Sequence, residues 1–181
     1  GALAGPVVAA AVILPLDNPE ALETLREVND SKQLTAKKRK LLFGLITQHA
    51  LAYGIGQEPA EVIDAIGILP ATKQAMSTAV SQLVPGADYM LIDGRIRLKN
   101  SPLPQQAIIR GDALSLSIAA ASILAKVTRD RLMVDQDSIY PLYGFAQHKG
   151  YGTAQHLTAL EKFGPSAFHR HSFAPIRHTL L

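Results

Sequence analysis

The stretch from Val7 to Leu14 is almost wholly apolar, rich in Val, Ile and Ala, and bounded by Pro6 and Pro15. Prolines at both ends weigh against a helix, and a continuous apolar run of this length reads as a strand covered on both faces. A strand buried in that way needs layers of other elements above and below it, so it points to an α/β domain. The chain has 181 residues, enough for one core that buries about two thirds of the unfolded surface. Its 48% hydrophobic and 18% charged content is that of a folded chain. We therefore expect a single domain over residues 1–181.

Helices and strands alternate after this run. Asp17-Asn18-Pro19 forms a turn, and Pro19 opens a short helix at a position where its missing N–H costs nothing. Asn29 to Lys32 is a polar loop. Thr35 can cap the next helix, in which Leu41, Leu42, Leu45 and Ile46 recur at helical spacing. The first turns of that helix carry Lys37, Lys38, Arg39 and Lys40, which oppose the helix dipole. They read as a solvated basic face, with a phosphate-facing end as the alternative. Tyr53 to Gly56 is a short strand. Leu69, Thr72, Met76, Ala79, Val80 and Leu83 form a helical stripe that stops before Pro85-Gly86. The longest helix runs from Leu114 to about Asp135, with Ile118, Ala121, Ser122, Ala125 and Leu132 on one face and small residues from Ala119 to Ser122 for close approach. A last helix spans Thr153 to Phe163.

Two short strands, Tyr89 to Asp93 and Ala107 to Asp112, end on a carboxylate each. As neighbours they would place both carboxylates at one sheet edge, where α/β sheets build their sites. Phosphodiester hydrolysis requires stabilising an attacking water and a leaving oxyanion together, and carboxylate-held divalent cations do this. Spacing alone leaves open a second reading, in which each Asp caps a turn or the following helix. The chain has no cysteine, so disulfides and thiolate zinc sites are excluded and a metal would meet oxygen or imidazole. A net charge of +3 is compatible with a polyanionic partner without requiring one. No apolar run is long enough to span a bilayer, and we expect a cytoplasmic protein. Gly1 leads at once into Ala-Leu-Ala-Gly-Pro and the apolar run, so an upstream segment is expected.

Blocks of sequence sharpen this reading: Leu3-Ala4-Gly5-Pro6 leading into the apolar run, Asp30-Ser31-Lys32-Gln33-Leu34, Leu91-Ile92-Asp93-Gly94, and Gly111-Asp112. These are followed by Ser117 through Arg131, His148-Lys149-Gly150-Tyr151-Gly152-Thr153, and His169 through Pro175. In this order and over the whole chain they resemble the type 2 ribonuclease H family, the bacterial ribonucleases HII. The resemblance implies a ribonuclease H-like fold, a mixed β-sheet flanked by helices with a C-terminal helical segment. It implies a site of one Asp, one Glu and two further Asp that bind a pair of Mg²⁺ or Mn²⁺ ions. Asp93 and Asp112 match the two later Asp. The first pair belongs to an Asp-Glu-Ala-Gly-Arg-Gly segment, of which only the last glycine is matched, by Gly1. The resemblance thus implies that the first, central strand is missing and that the chain is weakly active or inactive as it stands.

It further implies endonucleolytic cleavage on the 5′ side of ribonucleotides, in RNA–DNA hybrids or in ribonucleotide-containing DNA duplexes, during ribonucleotide excision and DNA replication. Gly1 and Tyr151 match positions that read the 2′-hydroxyl; from composition alone Tyr151 is a packing tyrosine in a Gly-rich loop. Lys32, Arg110 and Lys149 are candidate phosphate contacts, with solvated surface charge as the alternative. Asp130 lies about 27 Å of helix rise beyond Asp112, too far for a shared metal, and is read as a structural ion-pairing group. His169 and His171 are assigned no metal. A monomer is expected. The competing reading is a nucleic-acid-binding module without catalysis, and the related type 3 enzyme is a third.

Overall fold

The computed structural model describes residues 1–177. By contacts the chain divides into two compact units, one of Val8–Gln57 with Lys73–Val127, the other of Gly1–Val7, Glu58–Thr72 and the chain from Thr128 on.

The first unit carries the sheet edges. Strand β1 (Val7–Ile13) pairs with β2 (Ala52–Glu58), and the Leu51 N–H donates to the Ile13 carbonyl at 2.8 Å. The expectation of a strand covered on both faces is corrected here: Ala9 is buried and the rest of β1 only half-buried, because its sheet has two strands. Helices α1 (Pro19–Thr24), α2 (Ala36–His49) and the first turns of α6 (Leu116–Asp137) enclose a core of Leu14, Leu25, Leu42, Ile46, Ile123 and Leu124. Each large aliphatic side chain there contributes roughly 1.5–3 kcal/mol by leaving water. Asn18 and Thr35 cap α1 and α2 through their side chains, as their types suggest.

Along helix α4 (Ile68–Ser81) the expected stripe holds at Ala79, at Leu83 just beyond the helix, and at Met76 and Val80, which pack on a small core; it is corrected at Leu69, which is exposed, while Ala71 and Ala75 are buried. Close approach decides it. A Cβ on Gly54 or Gly56 of β2 would collide with the carbonyl oxygens of Ala79 and Ala75, so backbone packs on backbone at these two alanines. On α6 the expected face holds only at Ile118, which is buried; Ala121, Ser122, Ala125 and Leu132 are half-buried, and the other buried apolar residues are Ala119, Ala120, Ile123, Leu124, Val127 and Met133.

Strands β3 (Met90–Asp93) and β4 (Gln105–Ile108) run parallel, with Asp93 in register with Ile108. Met90 and Ile92 point into a small core with Leu98, Met76 and Val80, so by the two-residue period Leu91 and Asp93 point out. The expectation that Asp112 ends a strand is corrected. Strand β4 stops at Ile108, Arg110 takes the left-handed conformation (φ 59°), and Asp112 sits in the first turn of the short helix α5 (Gly111–Leu114). Extended Ser115 then separates α5 from α6.

The second unit holds α3 (Ala60–Ile66), the rest of α6, α7 (Phe145–His148), α8 (Ala154–Phe163) and α9 (Ala174–Arg177). Its core is Leu3, Ala4, Met133, Tyr143, Phe145 and Leu160, with Tyr140, Phe168 and Phe173 packed on it. Among the described residues no helix is long and apolar enough to cross a membrane.

Candidate metal centre and nucleic-acid interface

Asp93 is exposed at the end of β3, and its Oδ1 accepts the Gly111 N–H at 2.9 Å. That bond is made to the residue just before Asp112, so the two carboxylates the sequence singled out share one edge. Space at Gly111 is tight: a Cβ would displace the tip of Ile118, whose Cδ1 would lie at 2.6 Å, and would crowd Asp93 Oδ1 at 3.3 Å. The left-handed turn at Arg110 aims the Gly111 amide at Asp93. A non-glycine residue pays of order 1–2 kcal/mol for that conformation.

Asp112 is buried, 8% exposed, and its Oδ2 accepts from the Lys32 ammonium at 3.2 Å. The Asp112 carboxylate, by hydrogen bond and by charge, raises the Lys32 pKa above its ordinary value, with smaller contributions from Asp30 and Asp93. Lys32 is placed by its loop. Asp30 Oδ1 accepts the Lys32 N–H at 2.9 Å, Ser31 and Ser122 join their hydroxyls at 2.8 Å, and Arg39 donates to the carbonyls of Ser31 (2.8 Å) and Leu34 (2.5 Å). The basic first turns of α2 are therefore not simply a solvated face: Arg39 fastens the Lys32 loop and Lys38 pairs with Glu27. Asp30 is held below its ordinary pKa, chiefly by the Lys32 amide.

The donor chemistry fits a hard divalent cation. Asp93 and Asp112 offer carboxylate oxygens at one edge, and a cationic group, the Lys32 ammonium, already rests against the buried one. Among the described residues no group of three or more His, Asp or Glu gathers around a cation site. Arg110 is exposed two positions before Asp112.

Tyr151, in the other unit, pairs with the residue that follows Gly1. Ala2 and Tyr151 form an antiparallel bridge, and the Leu3 N–H donates to the Gly150 carbonyl at 2.7 Å. Tyr151 is 43% exposed, with the Arg129 guanidinium 5.5 Å from its ring centre. Lys149 is half-buried, and its ammonium turns back onto the Ala146 carbonyl.

Residues that sequence reasoning passes over hold this region together. Arg129 is buried and donates to the carbonyls of Pro6 (3.1 Å), Lys149 (2.9 Å) and Ala4 (3.0 Å). Arg170 donates to those of Gly5 (2.9 Å) and Pro6 (3.0 Å). Burial lowers both pKa values, that of Arg170 to about 10. The Asp64 carboxylate accepts the His171 and Ser172 N–H groups at 2.8 and 2.9 Å. The one sequence signal for Arg129 is its place one helical turn before apolar Met133.

The family model for ribonuclease HII matches residues 1–176. The ribonuclease HII of Chloroflexus aurantiacus is 54% identical over 181 residues, all of this chain and 85% of that protein. That of Ruminiclostridium cellulolyticum is 56% identical over 173 residues, 96% of this chain and 66% of that protein. Among solved structures, the ribonuclease H2 of Pyrococcus horikoshii superposes with a TM-score of 0.79 at 24% identity, covering 98% of this chain and 91% of that one. Bst-RNase HIII in complex with Mn²⁺ gives 0.75 at 17% identity, covering 99% and 66%. The structural likenesses identify the fold as ribonuclease H-like. With a family model over nearly its whole length and relatives above half identity, the chain belongs to the ribonuclease HII family of endoribonucleases.

Proposed function

We propose that Asp93 and Asp112 hold the divalent cations of a nuclease that cuts RNA–DNA hybrids and DNA duplexes containing ribonucleotides. Water adds to the phosphorus on the 5′ side of a ribonucleotide, the 3′ oxygen of the preceding nucleotide leaves, and 3′-hydroxyl and 5′-phosphate ends result. The observation that carries this reading is the Asp93–Gly111 hydrogen bond, which ties the first carboxylate to the neighbour of the second. Mg²⁺ or Mn²⁺ ions bound there, a pair in the active complex, would stabilise attacking and leaving oxygens together. Bst-RNase HIII, whose fold this chain shares, was solved in complex with Mn²⁺, which is in keeping with such a site.

The protein's own part is to fix the oxygens and read the sugar. The Gly111 amide orients Asp93, and burial of Asp112 within reach of Lys32 keeps one carboxylate oxygen in place. Gly1 and Tyr151, joined through the Ala2–Tyr151 bridge, form the reader of the 2′-hydroxyl. Lys32 and Arg110 add positive charge at the carboxylate edge for the phosphate backbone. Lys149 would reach a phosphate only by releasing the Ala146 carbonyl.

The test is cleavage of a duplex with a single ribonucleotide by the complete protein. Asp93→Asn should reduce Mg²⁺-dependent cleavage by a factor on the order of 10³ or more while the melting temperature changes little. Cleavage near the unsubstituted rate would remove Asp93 from the site. A second reading, nucleic-acid binding without catalysis, draws on the finding that two carboxylates and no larger acidic cluster are gathered among the described residues. Duplex binding without Mg²⁺ and no cleavage under any metal would favour it.

A further inference from the structure

Three histidines lie buried in the unit that carries Tyr151, and their hydrogen bonds fix which nitrogen of each holds the proton. His169 Nδ1 accepts the Ser166 N–H at 3.0 Å, and an amide can only donate, so the proton of His169 is on Nε2. That Nε2 faces His156 Nε2 at 3.0 Å, which must then accept. The proton of His156 is left on Nδ1, which lies 3.0 Å from the Tyr151 carbonyl, a group that can only accept. Worked from either end, the assignment is the same. His148 stacks on His156 at 4.3 Å and stands outside the chain of bonds: its Nδ1 accepts from Gly150 N–H and its Nε2 donates to the Tyr143 carbonyl.

The bonds thus run one way, from the Ser166 amide through His169 and His156 to the Tyr151 carbonyl. They also close a ring. Residues 2–4 lie between two outer segments, bridged to Tyr151 on one side through Ala2 and to His169 on the other through Ala4. The Gly5 N–H donates to the Phe168 carbonyl at 2.8 Å and the Arg170 N–H to the Leu3 carbonyl at 2.8 Å. The imidazole pair joins the two outer segments to each other. With His156 and His169 fully buried, no water competes for these bonds.

We propose that His156 and His169 are positioning residues for substrate discrimination: as a pair of neutral imidazoles with fixed proton positions, they set the Tyr151 peptide against the segment that begins at Gly1. This rests on the reading of Tyr151 and Gly1 as the reader of the 2′-hydroxyl. The pair touches no substrate, and its effect is on where the reader stands. Any side chain replacing His156 must accept from His169 and donate to the Tyr151 carbonyl. A carboxamide can do both and an aliphatic group neither.

The experiment compares binding to a duplex with one ribonucleotide and to the same all-deoxy duplex, by fluorescence anisotropy in Ca²⁺ with the complete protein. His156→Leu should shrink the preference for the ribonucleotide duplex about tenfold, the value of one well-made hydrogen bond, and leave all-deoxy binding unchanged. His156→Asn should restore most of it. Equal preference in a folded His156→Leu variant, or an Asn variant no better than Leu, would overturn the proposal. Should the Leu variant fail to fold, ¹⁵N-resolved imidazole spectra of the unsubstituted protein decide. They should show Nδ1–H at His156 and Nε2–H at His169, and any other pattern overturns the relay. Tyr151→Ala separates the two layers. Retained preference there refutes the reading of Tyr151 itself, whereas loss there with no loss in His156→Leu refutes only the positioning role.

Discussion

At the Asp93–Asp112 edge charge stands close to water: Asp93 is exposed, and the Lys32 side chain that reaches Asp112 is 79% exposed. Around residues 2–6 the arrangement is reversed. Arg129 and Arg170 are buried, at 9% and 5% exposure, and their hydrogen bonds run to the main-chain carbonyls of Ala4, Gly5, Pro6 and Lys149. No buried side-chain nitrogen or oxygen among the described residues lacks a partner. The contrast follows from what each region handles. On the proposed function a cation and a phosphate would enter and leave the first, in keeping with the exposure of Asp93 and of the Lys32 side chain. The second fixes a backbone without secondary structure of its own, and guanidinium forks and imidazoles supply the directional donors that a strand ladder would otherwise provide.

The largest effect that could break this contrast is on stability. Arg129→Leu strips donors from three carbonyls at once and should cost about 3–5 kcal/mol in urea unfolding. Arg129→Lys should recover little of it, because an ammonium cannot replace the planar fork. A loss below about 1 kcal/mol would mean that the network does not hold the segment.

Acid should act on the same region. Burial lowers the His169 pKa from its ordinary 6.5 to about 4, and burial likewise lowers that of His156. Between those two values the unfolded chain binds a proton that the folded one refuses, so stability is full above about pH 6.5 and falls as the pH drops toward 4. Going from pH 7 to pH 5 should cost about 2 kcal/mol, read as a falling melting temperature, and His169→Gln should flatten the dependence. The smallest effect belongs to the open edge. Lys32→Met should cost no more than about 1 kcal/mol, since the Lys32 end of the pair is exposed although Asp112 is buried, while Mn²⁺ affinity measured by calorimetry rises severalfold as a competing cation is removed.

The two regions also differ in how far the sequence discloses them. Asp93 is legible because strand alternation sends Ile92 inward and Asp93 outward, a pattern set by four local residues. Asp112 is legible as a neighbour of Asp93 but reads as the end of a strand, because nothing local announces that Arg110 turns left-handed and starts a short helix. The cap at Thr35 and the helix start at Pro19 are local and match. On α4 the burial of Ala71 and Ala75 escapes a sequence reading because alanine carries little hydrophobic signal, and for Ala75 the close approach is to Gly56, some twenty residues away. The Arg129 and His156–His169 bonds depend on partners 13 to 125 residues apart, with no periodic signature.

Mn²⁺ titration followed by amide NMR tests most directly whether the Asp93–Asp112 edge is the cation site. Paramagnetic broadening should begin at Asp93, Gly94, Gly111 and Asp112 and disappear in Asp112→Asn. Broadening that starts elsewhere in the chain, or persists unchanged in that variant, would contradict it.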